Sequence, residues 1–334
     1  MQFITLKKIG QIRLHCNRER GVNMADTQQK KFAIVCDSAC DIPLHALNSA
    51  QVHLVPYYVC SKGHNYRECI NLDPLDFYVH LSSTKGRFVI KTPAIKDYVR
   101  TFEECRDLGY KDIVTLHAST KLFDSYSACV AAAKSVSGVC VHAIDTKCIS
   151  AQLALVLAAL VRDRDNGLEV DQACKQAVTL ANTTKIAMIL PPQAADLTKV
   201  SSKPYGSIIL GAQALKARAF GVRRMFTLSD EGLPNELCSA SQLHILAGRL
   251  VRKMSLYSHQ VGPLTYVEIS SGAPRLLSIL EKPLDTNEFE SHGAGIVNTN
   301  PSTTKLLGVG TVGVSYTPAA YITAQQFSSF LAGE

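Results

Sequence analysis

The chain has 334 residues, 46% of them apolar and 19% charged. That is ordinary globular composition, with apolar material for about two domains, and it excludes a disordered chain. The formal charge of +7 points at first to nucleic acid or an anionic surface. Residues 1–23, however, hold Lys7, Lys8, Arg13, Arg18 and Arg20 against the single acid Glu19, so the rest of the chain is only mildly basic. This leader, residues 1–30 with its polar continuation, lacks the apolar core of a secretory signal. It reads as a tail, as a start upstream of Met24, or as an organelle-targeting peptide. No window reaches the roughly 18 apolar residues of a membrane span. The eleven cysteines include no CxxC pair and read as reduced, buried residues of a cytoplasmic protein rather than as zinc ligands.

Taken in order, residues 32–36 form a short apolar run that stops at Asp37-Ser38, as a buried parallel strand does. Pro43 suits the first turn of a helix begun near Asp41. Residues 52–59 form a second apolar run, which Pro56 confines to an edge or a bend. Gly63-His64-Asn65 reads as a turn and 75–81 as a helix. Pro93 opens a helix whose Ile95, Tyr98, Val99 and Phe102 share one face, closed by Gly109. Residues 113–116 are a strand, 125–136 an alanine-rich helix, 139–144 a strand ending at Asp145-Thr146, and 149–161 a helix apolar nearly all round.

The alternation of strand and helix predicts an α/β fold whose N-terminal domain, 31–165, has a parallel sheet covered by helices. The polar stretch at 162–167 marks the boundary. The C-terminal domain, 166–330, reads as a mixed sheet packed on helices. Its strands are predicted at 185–190, 225–228, 266–269 and 309–316. Its helices are predicted at 236–257, with Leu243, Leu246, Leu250 and Met254 on one face, and at 274–280.

Gly308-Val309-Gly310-Thr311-Val312-Gly313 matches GxGxxG, but a dinucleotide site needs that pattern between a first strand and a helix. Here a strand is expected to follow. Asp37 and Asp41 read as a strand end and a helix cap. The ten histidines show no metal-ligand cluster; His292, in Ser-His-Gly-Ala-Gly, is the one in a glycine-rich loop and is held as a site candidate. Hydroxyls recur at the ends of predicted strands: Ser38, Thr92, Ser119-Thr120, and Thr146 with Ser150. Each one singly reads as a helix cap. Together, at the carboxyl ends of parallel strands, they suit a site for a carboxylate or phosphate.

At these residues the sequence resembles the DegV family of two-domain lipid-binding proteins. Asp37-Ser38-Ala39-Cys40-Asp41-Ile42-Pro43 is similar to the family opening D-S-T-A-D-L-P, and Val55-Pro56-Tyr57-Tyr58-Val59 with Gly63 and Tyr66 to V-P-L-x-V and G-x-x-Y. Ser119-Thr120-Lys121-Leu122 with Ser125-Tyr126 is similar to S-S-x-L-S-G-T-Y, and Ile144-Asp145-Thr146 with Ser150 to I-D-S…S. Phe226-Thr227-Leu228-Ser229-Asp230 with Gly232 resembles the strand and turn of the second domain. The glycines at 308–313 resemble the terminal G-P-G-x-x-G.

The resemblance implies a carrier and not an enzyme, with no cofactor or metal. It implies a long-chain fatty acid in a tunnel between the domains, presented to a partner such as a fatty acid kinase. It implies head-group hydroxyls at Thr92, Ser119 and Thr120; Ser38 and Ser150, from the strand-end pattern, and Lys203, in place of the family arginine, are further ligand-binding candidates, and any cationic docking surface is expected near Lys91, Lys121 and Lys203. No nucleic-acid partner is expected. The sequence departs from the family pattern where the T-S-Q-P threonine falls on Ile90, the histidine before G-P-G on Leu306, the S-G-T-Y glycine on Asp124, and G-G-R-I on Val200-Ser201-Ser202-Lys203. A second reading follows from these departures: a member that has lost lipid binding and serves as an interaction or regulatory protein. Its mark would be Ile90, Leu306 and Asp124 in a closed, filled seam.

Overall fold

The computed structural model describes residues 11–13, 30–61, 63–83, 88–197, 212–285 and 289–334. In chain order the first half runs β1 (Gln11–Arg13), β2 (Ala33–Asp37), α1 (Leu44–Ser49), β3 (Val52–Val55), β4 (Tyr58–Ser61), β5 (His64–Arg67), α2 (Pro74–Ser83) and β6 (Val89–Lys91). It continues with α3 (Ile95–Asp107), β7 (Asp112–His117), α4 (Ser125–Ala133), β8 (Cys140–Asp145) and α5 (Ser150–Asp165). The second half runs α6 (Val170–Thr183), β9 (Lys185–Leu190), α7 (Ala212–Ala219), β10 (Arg223–Leu228), β11 (Pro234–Ala240), α8 (Leu243–Val261), β12 (Leu264–Ser270), α9 (Pro274–Asp285), β13 (Ser291–Asn298), α10 (Pro301–Leu307), β14 (Val312–Pro318) and α11 (Ala324–Ala332).

The apolar runs of the first half assemble a sheet of order β1-β8-β7-β2-β3, in which β8, β7, β2 and β3 are parallel. Three residues of the basic leader, β1, pair antiparallel with β8 and so take a place at the sheet edge. β5-β4-β6 form a small antiparallel sheet, so Gly63-His64-Asn65 is the turn and return strand of a hairpin rather than a turn alone. The second half forms a mixed six-stranded sheet, β11-β10-β9-β14-β12-β13, with only β12 and β13 parallel. The chain is thus an α/β protein with a parallel sheet and a mixed sheet.

α5 explains why its sequence has no polar face. It touches β7 of the first sheet and β12 and β14 of the second, as well as α6 and α11. A helix between two sheets has no solvent side, and 14 of its 16 residues are buried. The core around it is continuous from Phe32 to Phe330. α6, beyond the predicted boundary, packs on β7, β8 and β14 alike. Outer layers close the far faces: α3 and α4 cover Ile113, Val141 and Ala143, while α8 and α9 cover Ala187, Ile189 and Val314. Arg164 is 1% exposed, and its guanidinium donates to the carbonyls of Ala50 (2.6 Å) and Gln51 (3.2 Å). It thereby satisfies the backbone that follows α1.

Three sequence expectations change. The helix predicted over 236–257 begins only at Leu243. Residues Pro234–Ala240 are strand β11, because a turn at Gly232 (φ +78°) returns the chain alongside β10 from Leu228 to Arg223. The antiparallel ladder outweighs local helix propensity. Asp41 does not start the helix that follows, since α1 begins after Pro43; at φ +58° it instead closes a single 3-10 turn at Ser38–Cys40. The strand predicted at 309–316 starts at Val312, after a helix, α10, that was not anticipated. The GxGxxG stretch therefore links a helix to a strand, the reverse of a dinucleotide site. Gly313 is fixed by packing, since a Cβ there would lie 2.5 Å from the Ala187 carbonyl oxygen on the neighbouring β9.

Candidate functional site

The carboxyl ends of β2, β7 and β8, the start of α5 and the end of β6 bring the predicted hydroxyls to one region. All but Ser150 already have a protein acceptor. Ser38, fully buried, accepts from the Tyr57 amide (2.9 Å) and donates to Glu68 (2.5 Å). Ser119 donates to the carbonyl of Gly232 (2.8 Å), so the β10–β11 turn of the second half closes directly on the first. Thr120 donates to Asp145 (2.7 Å) and Thr146 to the His117 carbonyl (2.7 Å). Thr92 donates to Asp124, which ties the end of β6 to the loop before α4. Ser150 is buried with φ +52°, and its hydroxyl faces Asp41.

Of the departures from the family pattern, Ile90 and Leu306 are each 5% exposed in one core cluster, and Asp124 is part-buried against Thr92. Lys203 and Ser202 lie outside the described residues. His292 is not in a loop: it is exposed on the edge strand β13, 3.3 Å from Glu290. It stands six residues, about 20 Å at strand spacing, from the Asn298 end that reaches the hydroxyls. Lys91 and Lys121 are exposed.

The structure adds a polar nest that the sequence reading missed. Asn300 donates its amide to Asp41 (2.8 Å) and its side chain to the Ser38 carbonyl (2.7 Å), and Thr303 donates to the same Asp41 oxygen (2.9 Å). Ser302 reaches Glu68 through its amide and its hydroxyl. The Tyr78 hydroxyl donates to the Thr299 carbonyl (2.5 Å), amid the hydroxyls of Thr299, Thr304 and Ser271. Two acids from the first half are therefore clamped by the β13–α10 connection of the second. Burial pushes the Glu68 carboxyl up to about 7 against the lowering effect of Ser38 and Ser302, and it pushes Asp41 well above the carboxylate range. The only local signal for the nest was the Thr-Asn-Pro-Ser-Thr-Thr run, whose Pro301 opens α10.

Asp37, His117 and Ser125 also converge, from the ends of β2 and β7 and the start of α4. Ser125 donates to Asp37 (2.5 Å), and His117 Nδ1 lies 3.3 Å from the same carboxylate. Burial pulls the His117 pKa down, but the Cys129 sulfur and the Asp37 carboxylate outweigh it and raise the value. All three are fully buried, out of a substrate's reach; Ser125 Oγ also lies 3.2 Å from His117 Nδ1, while the shorter bond is the one it donates to the Asp37 carboxylate. The cluster is a structural ion pair and not a nucleophile relay.

Residues 31–193 match the family model DegV, which is described as an uncharacterised protein family. Residues 31–193 belong to the DegV family. Among curated relatives, a DegV domain-containing protein of Listeria innocua is 25% identical over 132 residues, 39% of this chain and 47% of the relative. One of Staphylococcus aureus is 29% identical over 118 residues, 35% of this chain and 41% of the relative. The chain thus spans about half the length of the curated relatives it matches. The fold likeness is longer. A structure described as a fatty-acid-binding DegV family protein from Thermus thermophilus superposes with a TM-score of 0.75 at 18% identity, over 86% of this chain and 99% of that one. A stearic-acid-binding protein from Eubacterium ventriosum gives 0.72 at 20% identity, over 87% and 99%. DegV from Bacillus subtilis, described as a fatty acid binding protein, gives 0.70 at 18%, over 86% and 99%. The chain has the DegV fold well beyond the segment its sequence identifies.

Proposed function

We propose that this protein binds a long-chain fatty acid or related acyl lipid between its two halves and presents it to a partner such as a fatty acid kinase. It acts in the cytoplasm as a carrier, with no chemistry of its own. The observation that supports this most is the superposition over 86% of the chain on a DegV protein described as binding fatty acid. In this reading Thr92, Ser119 and Thr120 meet the carboxylate with neutral donors, Ser38, Ser150 and Lys203 are further candidates for binding it, and each buried methylene of the acyl chain adds about 0.8 kcal/mol.

Asp124 modifies the reading. The Thr92 hydroxyl already holds a carboxylate, the protein's own, so a ligand head group competes with Asp124 and is repelled by it. One observation favours the second reading, an interaction or regulatory protein that has lost its lipid: Ser38, Thr92, Ser119 and Thr120 all donate to protein acceptors, and Ile90 and Leu306 fill their positions. Calorimetric titration with palmitate separates the two. Binding by the natural chain, strengthened about tenfold in Asp124→Gly and weakened in Thr92→Val, is expected of the carrier; about 1.4 kcal/mol corresponds to that tenfold gain. No heat from either the natural chain or Asp124→Gly would leave the second reading.

A further inference from the structure

At the opposite, amino-terminal end of β7 and β8, Asp112, Cys140 and His142 each offer a ligand atom within 4.8 Å of the others. We propose that these three side chains form a binding site for a divalent transition-metal ion of the zinc type, separate from the acyl site. The sheet register builds the site. Asp112 and Cys140 are partners across the parallel β7–β8 pair, so their side chains share a face, and His142, two residues after Cys140, shares it by the strand period. Strands of six residues at about 3.3 Å each put the cluster some 16–20 Å from the hydroxyls at the carboxyl ends.

The chemistry of the donors selects the ion. A thiolate, an imidazole and a carboxylate suit zinc and its neighbours and not calcium or magnesium, which want oxygen alone. Thiolate and carboxylate together carry two negative charges, so a divalent ion leaves the half-buried site neutral. Little movement is needed. Tetrahedral bonds of about 2.0–2.3 Å place ligand atoms about 3.4–3.6 Å apart. His142 Nε2 now lies 2.8 Å from the Asp112 carboxylate, so that pair opens slightly while the sulfur closes in.

The present state leaves His142 poorly satisfied. It is fully buried, its Nε2 meets Asp112, and its Nδ1 has no hydrogen-bond partner among the described residues. One bond to a carboxylate that is 30% exposed is weak support for a buried ring. Asp112 and Cys140 are both part-exposed, which gives an ion a route in and leaves a fourth coordination position for water. On binding, the Cys140 thiol loses its proton to solvent, the Nε2–H···carboxylate hydrogen bond breaks and its proton passes through solvent to Nδ1, and the freed Nε2 lone pair and the thiolate sulfur each form a metal bond. No electron is transferred.

The test is titration of chelator-treated full-length protein with cobalt(II), followed by displacement with zinc(II). The expected result is one cobalt per chain with a thiolate-to-cobalt absorption band in the near ultraviolet, bleached by zinc. The affinity should fall by at least about 100-fold in Cys140→Ser and in His142→Asn, the upper end of what losing even an outer-shell partner costs. Cys60→Ser and Cys238→Ser, at other part-exposed cysteines, should keep the band. Absence of the band in the natural chain, or a band undiminished in Cys140→Ser, overturns the proposal. The natural-chain measurement stands even where a variant fails to fold.

Discussion

Replacing Gly232 with alanine puts a methyl group where the first half of the chain already sits. Gly232 has φ +78°, and a Cβ there would overlap the Ser119 hydroxyl and lie 3.0 Å from both the Ser119 and Lys147 Cβ atoms. The left-handed backbone costs an L-residue about 1–2 kcal/mol, and overpacking adds about 1–3 kcal/mol. Displacing Ser119 also weakens its hydrogen bond to the Gly232 carbonyl, worth about 1 kcal/mol. These terms overlap, and the expected loss is about 2–4 kcal/mol, read as a lower urea midpoint at unchanged slope. Ser119→Ala alone should cost about 1 kcal/mol. The double variant should cost less than the sum of the two singles, because the overlapping oxygen is gone. A Gly232→Ala protein within 0.5 kcal/mol of the natural one (about the additivity error), or strict additivity in the double variant, would refute the close approach of the two halves at this turn.

Three further outcomes follow from the buried charges. Glu68 has a folded pKa of about 7 against an ordinary 4.5, so the folded state binds its proton more tightly than the unfolded chain. The associated stability is fully present below about pH 4.5 and is lost as pH rises to 7. It amounts to on the order of 3 kcal/mol at 1.36 kcal/mol per pKa unit. Urea unfolding across that window should show this decline, and Glu68→Gln should reduce it, leaving the parts owed to Asp41, raised by burial, and to Glu268, raised to about 7 by burial and by Glu281 and Asp285; an unchanged slope would refute the assignment. Arg164→Met should destabilise by about 2–4 kcal/mol in the same assay, since it leaves the Ala50 and Gln51 carbonyls without their charged donor. Asn300→Ala, which removes the bond from the second half to the Ser38 carbonyl, should cost about 1–3 kcal/mol and raise amide exchange in the 38–41 turn.

Elements whose signal is local were legible. The apolar runs ending at Asp37, His117 and Asp145 became parallel strands because continuous apolar pattern and a polar stop describe a buried strand completely. The nearly unbroken apolar pattern of 149–161 announced a helix buried almost all round, though not the two sheets it lies between. What escaped is what depends on pairing across the chain. β11 carries helix-compatible residues and becomes a strand only because β10 lies beside it. α10 is seven residues long, too short to show a period. Asp41 and Thr303 meet across 262 residues and Glu68 and Ser302 across 234, and Asp112, Cys140 and His142 are neighbours only through the register of two strands. Spacing rules drawn from helices and loops do not see ligands set on adjacent strands. The predicted hydroxyls converge, but the sequence could not show that all but Ser150 had a protein acceptor, Asp124 for Thr92 above all.

The central claim is lipid binding, and native mass spectrometry of the protein isolated from its expression host tests it most directly, with organic extraction of the same sample. The account predicts a bound mass equal to a long-chain fatty acid, lost on extraction and restored by adding palmitate, together with a rise in unfolding temperature. A chain that carries no acyl ligand, takes none up after extraction, and unfolds at the same temperature with and without palmitate would contradict it.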